Sequence, residues 1–100
     1  MNMQAMLAQA QKMQRDLKRA HEELASKEFV VNKNGLVTVT LLGSRELKSV
    51  DIDKDALEAD NKEMIEEAIV LAYNEALEKI EEAIGDINER ITGRREGLGM

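Results

Sequence analysis

The chain has 100 residues, of which 43% are apolar and 34% charged, with a net charge of −6 and an isoelectric point near 4.8. A chain of this length forms one small domain or one subunit of an assembly, because it buries only part of its surface alone. The absence of cysteine excludes disulfides, thiolate metal sites and thiol nucleophiles. There is no signal-peptide pattern and no apolar run of the ~20 residues that a membrane helix needs, so we expect an intracellular protein without membrane contact.

A long first helix is predicted over residues 2–26, which contain no glycine or proline and are rich in alanine, methionine, glutamine and leucine. Its apolar residues recur at alternating spacings of three and four, which are the a and d positions of a heptad pattern. They are Met3, Met6, Ala10, Met13, Leu17, Ala20 and Leu24. We expect this apolar seam to pack on a partner surface, because about three heptads of small side chains are too few for an independent coiled coil.

A three-stranded antiparallel meander is predicted next. The dipeptide Asn-Gly at 34–35 favours a hairpin turn, because type I′ turns need positive φ at both central positions. Residues 36–42, LVTVTLL, alternate apolar and polar side chains as a half-buried strand does. In the third strand, residues 45–53, the apolar side chains change parity between Leu47 and Val50, which indicates a β-bulge.

A second long helix is predicted over residues 61–91, after a short helical turn or loop. Asp60 stands where it can cap this helix, with Glu63 completing a capping box. At ~1.5 Å per residue the helix would be about 45 Å long, so part of each long helix must project from the small sheet or pack on another subunit. Residues 93–100 contain three glycines and are expected to be a flexible tail. The prediction is a single α+β domain over residues 1–100.

Positive charge is concentrated at the two ends of this acidic chain. Residues 1–27 and 90–100 each carry a net charge of +2, whereas residues 56–89 carry −9. Four positively charged residues of the first helix occupy heptad positions b, c and f, away from the apolar seam: Lys12, Arg15, Lys18 and Arg19. Three more add to this surface if the second helix ends near the first: Arg90, Arg94 and Arg95. We expect the seam to be buried and the basic face to point outward.

The sequence indicates no catalytic, metal or cofactor site. Residues 51–55, DIDKD, begin like a calcium loop, but Ala56 and Lys62 stand where that loop needs glycine and glutamate. His21 is the one histidine, and it lies at an e position without the neighbours that nucleophilic catalysis requires. We therefore expect neither an enzyme nor a protein that binds a metal, a cofactor or a small-molecule substrate.

Two functions fit the basic face. Lysine and arginine side chains spaced along a rigid helix contact phosphates without reading base sequence, which favours binding to double-stranded DNA. The alternative is a protein-interaction module, in which helical arms grip a partner protein through the methionine-rich seam and the acidic second helix. DNA binding predicts that reversal of the basic residues to glutamate abolishes binding without loss of the fold. The interaction module predicts sensitivity at Met3, Met6 and Met13 instead.

Four segments of the chain are similar to those of a known family. They are MLAQAQKMQRDLKRAHEELA in the first helix, GLVTVTLLGSRELKSVDID in the central strands, MIEEAIVLAYNEALEKI in the second helix and GLGM at the end. On these residues, which cover nearly all of the chain, the protein resembles the YbaB/EbfC family of bacterial nucleoid-associated proteins. The central segment is the most specific part of the match.

The resemblance implies a homodimer, in which the sheets pair into one core and the long helices project as two arms. It also implies binding to double-stranded DNA in the cytoplasm, at the nucleoid, with a role in nucleoid organisation or gene regulation. The arms, with the first helix, would contact the DNA, and the matching positions here are Lys12, Arg15, Lys18 and Arg19. Two features depart from the family pattern: the tight KNGL turn at 33–36, and a strongly acidic second helix that would repel phosphates.

Overall fold

The computed structural model describes residues 2–96 and has the predicted α+β architecture. Its main elements in chain order are α1 (Met3–Ala25), β1 (Glu28–Lys33), β2 (Val37–Leu42), β3 (Leu47–Ile52) and α2 (Lys62–Thr92). Two short 3-10 helices, Lys54–Ala56 and Ala59–Asn61, connect β3 to α2. The strands form one antiparallel sheet in the order β1-β2-β3. Both long helices begin and end within one residue of their predicted bounds.

The hairpin turn between β1 and β2 forms as predicted. Asn34 and Gly35 both have positive φ, of 55° and 70°. The side-chain oxygen of Asn32 accepts a hydrogen bond from the backbone N–H of Gly35 at 3.0 Å, which fixes the turn. Glycine and asparagine tolerate this left-handed backbone better than other residues do, so the local sequence is sufficient to place the turn.

The predicted β-bulge lies in β3. Thr40 of β2 pairs with Ser49, but the next residue, Leu41, pairs with Leu47. Lys48 is therefore the extra residue, which explains why the apolar side chains of β3 change parity along the strand.

The turn between β2 and β3 packs directly on the end of α1. The backbone N–H of Gly43 donates to the Lys27 carbonyl at 2.8 Å, and that of Ser44 donates to the Ala25 carbonyl at 3.1 Å. A Cβ atom at Gly43 would lie 1.9 Å from the carbonyl oxygen of Leu24. Glycine is required here because any side chain would overlap the backbone of α1. The contact fixes the C-terminal end of α1, here called its base, to the sheet.

The core lies between α2 and one face of the sheet. β2 contributes three side chains that are at most 1% exposed: Val37, Val39 and Leu41. α2 faces them with a stripe of mostly small residues: Ile65, Ala68, Ala72, Ala76 and Ile80. Alanine at the closest positions lets the helix backbone approach the sheet, and each large aliphatic side chain buried here contributes about 1.5–3 kcal/mol.

α2 covers β1 and β2 but leaves the same face of β3 open. Val39 is fully buried, whereas its cross-strand neighbour Val50 is 38% exposed and Leu47 is 49% exposed. On the adjacent edge of α2, Val70 and Tyr73 are also exposed, by 57% and 36%. The result is an apolar groove of about 250 Å³, here called the β3 groove. Its lining residues are Val39, Leu47, Val50, Ile69, Val70 and Tyr73.

α1 and the second half of α2 pack side by side as an arm. Leu17, Ala20 and Leu24 are buried in this contact, so the C-terminal half of the predicted seam packs as expected. Towards the other end of α1 the seam emerges, and Met3 and Met6 are 83% and 51% exposed. The chain is accordingly elongated, with dimensions of 69 × 19 × 17 Å.

Two details at the ends of α2 were not foreseen. The predicted capping box is wrong, because Asp60 lies in a 3-10 helix and Asn61 precedes the first helical residue without a side-chain cap. The Asn61 amide instead donates to the carbonyl of Ala56 at 2.9 Å. After α2, residues 93–96 turn back against the helix. The flexibility expected for residues 93–100 stays a prediction, and its last four residues lie outside the described part of the chain.

Candidate nucleic-acid interface

The outer face of α1 carries three cations that are free of ion pairs within residues 2–96. Arg15, Lys18 and Arg19 are all exposed, and no carboxylate of the described chain lies within 4.0 Å of their charged groups. Leu17, by contrast, is 8% exposed and faces α2. At 3.6 residues per turn, Arg15 and Arg19 lie about 160° around the helix from Leu17, and Lys18 about 100°. Burial of the seam therefore directs these charges to solvent, as predicted.

Lys12 lies on the same face but is paired. Its Nζ atom donates to a carboxylate oxygen of Asp16 at 2.9 Å, one helical turn away. The hydrogen bond from Lys12 lowers the pKa of Asp16 below its usual range, so Asp16 stays ionised at neutral pH. The Lys12 side chain is 69% exposed, so an incoming phosphate can reach it but must compete with the Asp16 carboxylate.

The end of α2 does come close to α1, as the sequence analysis required for Arg90 to contribute. Arg90 borders a groove between the two helices that Lys12, Met13 and Asp16 line from the α1 side. Arg94 is exposed after the end of α2, and its backbone N–H donates to the Thr92 hydroxyl at 3.2 Å. The structure therefore brings Arg90 to the same groove as Lys12.

Arg95 is in a different environment from the other predicted contacts. Its guanidinium donates to Asp86 and Glu89 at 2.8 Å each and lies 3.1 Å from Glu82. The hydrogen bonds to Asp86 and Glu89 raise the pKa of Arg95 above its usual value. The guanidinium rests on Gly85, where a Cβ would approach it to 2.6 Å. Three carboxylates offset this charge, and Arg95 holds residues 93–96 against α2.

Asn88 is a structural residue of the arm that sequence analysis missed. It is 1% exposed, and its side-chain oxygen lies 3.0 Å from Nε2 of His21 on α1. Its amide donates to the backbone carbonyl of Arg95 at 3.2 Å. One side chain thus joins both helices and the residues after α2. Its position on the helix face that carries Ile80 and Ile84 was the available signal. His21 occupies the edge of the seam as predicted.

The arm has sides of opposite charge. Glu78, Glu82 and Glu89 lie on the side of α2 turned away from α1, because Ala83 and Ile87 line the groove that faces α1. A polyanion is therefore attracted to the α1 side and repelled from the α2 side. In the described part of the chain, no helix is both long and apolar enough to span a bilayer, and no three acidic or histidine side chains group to hold a metal ion.

These features define a class of protein: a three-stranded α+β domain that carries a helical arm with a basic outer face. The model of the YbaB/EbfC DNA-binding family matches residues 1–95, and the chain belongs to this family. The resemblance seen in the sequence is thereby confirmed.

Similar proteins cover almost the whole chain. A nucleoid-associated protein of Mycoplasmopsis pulmonis is 42% identical over 91 residues, which are 91% of this chain and 90% of that protein. One from Enterococcus faecalis is 41% identical over 81 residues, which are 80% of this chain and 78% of that protein. The crystal structure of an uncharacterised protein from Helicobacter pylori is similar with a TM-score of 0.74 at 20% identity, and covers 90% of this chain and 96% of that one. That structure supports the fold alone.

Proposed function

We propose that this protein is a homodimeric nucleoid-associated protein that binds double-stranded DNA mainly through phosphate contacts. It acts in the cytoplasm, at the nucleoid, in nucleoid organisation or gene regulation. One observation carries the proposal: Arg15, Lys18 and Arg19 are exposed and free of ion pairs within residues 2–96, on the outer face of an arm whose other side is acidic. Membership of a DNA-binding family and the names of the curated relatives support the same function.

The β3 groove supports the dimer. Monomeric domains rarely leave contiguous apolar surface between two elements, because its exposure to water is unfavourable. In the groove, Leu47, Val50, Val70 and Tyr73 remain between one third and three fifths exposed beside a core that is otherwise closed. A second copy, placed with its own β3 groove against this one, covers these side chains and joins the two sheets into one core. The two arms then project from a common body.

The phosphate contacts come from the basic face of each arm. Arg15, Lys18 and Arg19 supply three cations per chain and six per dimer, and Lys12 lies one turn before Arg15 and lines a groove with Arg90. Arg94 extends the surface at the end of α2, whereas Arg95 contributes least because Asp86 and its neighbours already bind it. If all six free cations contact phosphates, the logarithm of the binding constant falls with the logarithm of the salt concentration at a slope of about −5.

Such contacts give affinity without base readout. The expected preference is weak or depends on DNA shape and deformability, since phosphates carry no sequence information. Stacking on single strands is not expected, because the two aromatic residues of the chain, Phe29 and Tyr73, lie in the sheet and in α2, away from the basic face. The acidic side of α2 limits non-specific binding and orients the duplex towards α1.

The test is a titration of a labelled duplex by fluorescence anisotropy at several salt concentrations. The triple variant Arg15→Glu, Lys18→Glu, Arg19→Glu is expected to lose binding and salt dependence while it retains its circular dichroism spectrum. A matched control reverses three exposed lysines away from the arm: Lys48→Glu, Lys54→Glu and Lys62→Glu. Each reversal changes the charge by two, so both variants go from −6 to −12 per chain.

The control separates a local effect from a net-charge effect. Retained binding by the control and loss by the arm variant support phosphate contact by α1. Equal loss in both variants would show that overall charge, rather than the α1 face, decides binding. If the unaltered protein does not bind duplex DNA at low salt, the proposal is wrong, and the protein-interaction module becomes the better interpretation.

A further inference from the structure

The first turns of α1, together with the capping residue Asn2, have an uncharged surface, unlike the rest of the chain. This arm tip, residues 2–11, has no charged side chain, although 34% of the residues of the protein are charged. Three of its large apolar side chains are exposed: Met3 by 83%, Met6 by 51% and Leu7 by 61%. Neither phosphate contact nor solvation of a free helix accounts for this composition, because both favour charged residues.

The exposed side chains continue an existing interface. Met3 and Ala10 occupy the same heptad position as Leu17, and Met6 the same position as Ala20; Leu17 and Ala20 both pack on α2. α2 ends at Thr92, and among the described residues nothing covers this end of the seam. Residues 3–10 span ~12 Å of helix. Over this length α1 presents the same kind of apolar surface that packs on α2 further along the arm, but no described residue covers it.

We propose that the arm tip pairs with the arm tip of a second dimer, with the two helices antiparallel about a two-fold axis; this rests on the proposed DNA-binding dimer. In this register Met3 faces Ala10 of the second copy, and Met6 faces Leu7. Large side chains then meet a small one or a flexible one, which allows close packing. An isologous contact must be self-complementary, and a tip without charge has no repulsion to overcome when it meets its own copy.

The contact is too small to hold dimers together in dilute solution. Three large apolar side chains per copy bury much less than the ~800 Å² per partner of a stable interface. On DNA the situation differs, because dimers bound at neighbouring positions present their tips to one another at a high effective concentration. Tip pairing therefore makes the binding of successive dimers to DNA cooperative, and it leaves the binding of a single dimer unchanged.

Cysteine cross-linking tests the geometry directly. The chain contains no cysteine, so Met6→Cys places one thiol per chain in the proposed contact. Ala8→Cys is the matched control, because residue 8 is also exposed but lies about 160° around the helix from residue 6. After mild oxidation on long DNA, Met6→Cys is expected to give covalent chain pairs, and light scattering after removal of the DNA is expected to show two linked dimers. Equal linking of both variants, or linked pairs confined to single dimers, overturns the proposal.

A binding experiment separates tip pairing from DNA binding. The triple variant Met3→Gln, Met6→Gln, Leu7→Gln keeps the charge and the helical propensity of the tip. It is expected to bind a duplex that holds one dimer as the unaltered protein does, and to bind a duplex that holds several dimers roughly tenfold or more weakly, without cooperativity. Equal weakening on both duplexes would mean that the tip contacts DNA. Non-cooperative binding of the unaltered protein to the long duplex also overturns the inference.

The two proposals can fail independently. If the unaltered protein binds neither duplex, the proposed function is wrong, and Met6→Cys oxidised at high protein concentration without DNA still decides the tip contact. Linked dimers would then support pairing in the absence of DNA, and their absence would overturn it.

Discussion

The contact between the β2–β3 turn and the end of α1 leaves no room for a side chain at Gly43. In Gly43→Ala the new Cβ would lie 1.9 Å from the carbonyl oxygen of Leu24 and 2.7 Å from its carbonyl carbon. Both are backbone atoms and cannot rotate away, so the turn must separate from α1. The hydrogen bonds from Gly43 to Lys27 and from Ser44 to Ala25 then lengthen or break.

The expected loss of stability follows from these contacts. Overpacking against fixed atoms costs about 1–3 kcal/mol, and each weakened backbone hydrogen bond adds about 1 kcal/mol. The free energy of unfolding of Gly43→Ala should fall by roughly 3–5 kcal/mol. Urea unfolding followed by far-ultraviolet circular dichroism measures it, with the concentration of chains held constant because a dimer unfolds in a concentration-dependent way.

Gly35→Ala is the appropriate comparison. Gly35 has φ of 70°, but no atom lies within 4 Å of the position of a new Cβ. Its replacement costs only the left-handed backbone preference, about 1–2 kcal/mol. A smaller loss of stability for Gly43→Ala than for Gly35→Ala would refute the close packing of the turn on α1.

Three further predictions concern the arm and the β3 groove. Asp16→Asn removes the carboxylate that binds Lys12, so anisotropy titrations should show tighter DNA binding and a salt slope steeper by up to about 0.9 per arm. Tyr73→Asp places a charge in the β3 groove, and light scattering should show monomers. Asn88→Ala leaves the hydrogen-bonding partners on His21 and Arg95 unpaired, and urea unfolding should show a loss of about 1–3 kcal/mol.

Each of these has a control on the same helix. Glu22→Gln removes an exposed carboxylate of α1 that binds no lysine or arginine within residues 2–96. An equal gain in DNA affinity would contradict the claim that Asp16 competes with phosphates for Lys12. Leu71→Asp alters an apolar residue of α2 that is 47% exposed outside the β3 groove, and it should leave the dimer intact. Asn74→Ala alters an exposed asparagine and should cost little; a cost equal to that of Asn88→Ala would argue against the buried hydrogen bonds.

The elements that sequence analysis placed correctly depend on local signals. Heptad spacing and the absence of glycine and proline defined α1 within one residue of its ends. Asn34 and Gly35 specified the hairpin, because few residues adopt positive φ at two successive positions. The change of parity before Val50 revealed the bulge, since side chains in a strand alternate strictly unless a residue is inserted.

What the sequence did not predict depends on contacts between distant residues. Residues 75–89 contain six acidic residues, and nothing local shows that Asp86 and Glu89 would bind Arg95. The role of Gly43 follows from the approach of another backbone, which spacing does not encode. The predicted cap at Asp60 was wrong because a 3-10 helix, formed before α2, absorbed that residue.

Because the base of α1 is fixed to the sheet, a small tilt there moves the opposite end of the helix by a larger distance. Its 23 residues span about 34 Å, so a tilt of ~5° at the base moves the free end by ~3 Å. In the proposed dimer both copies of α1 tilt, and the distance between their free ends changes by ~6 Å. This distance is almost twice the 3.4 Å rise per nucleotide along a DNA strand. If the proposed dimer holds DNA between its arms, the stiffness of the joint at Leu24 and Gly43 sets which duplex widths the arms tolerate. Substitutions at this joint would then change the affinity for DNA, although the joint itself would not contact DNA.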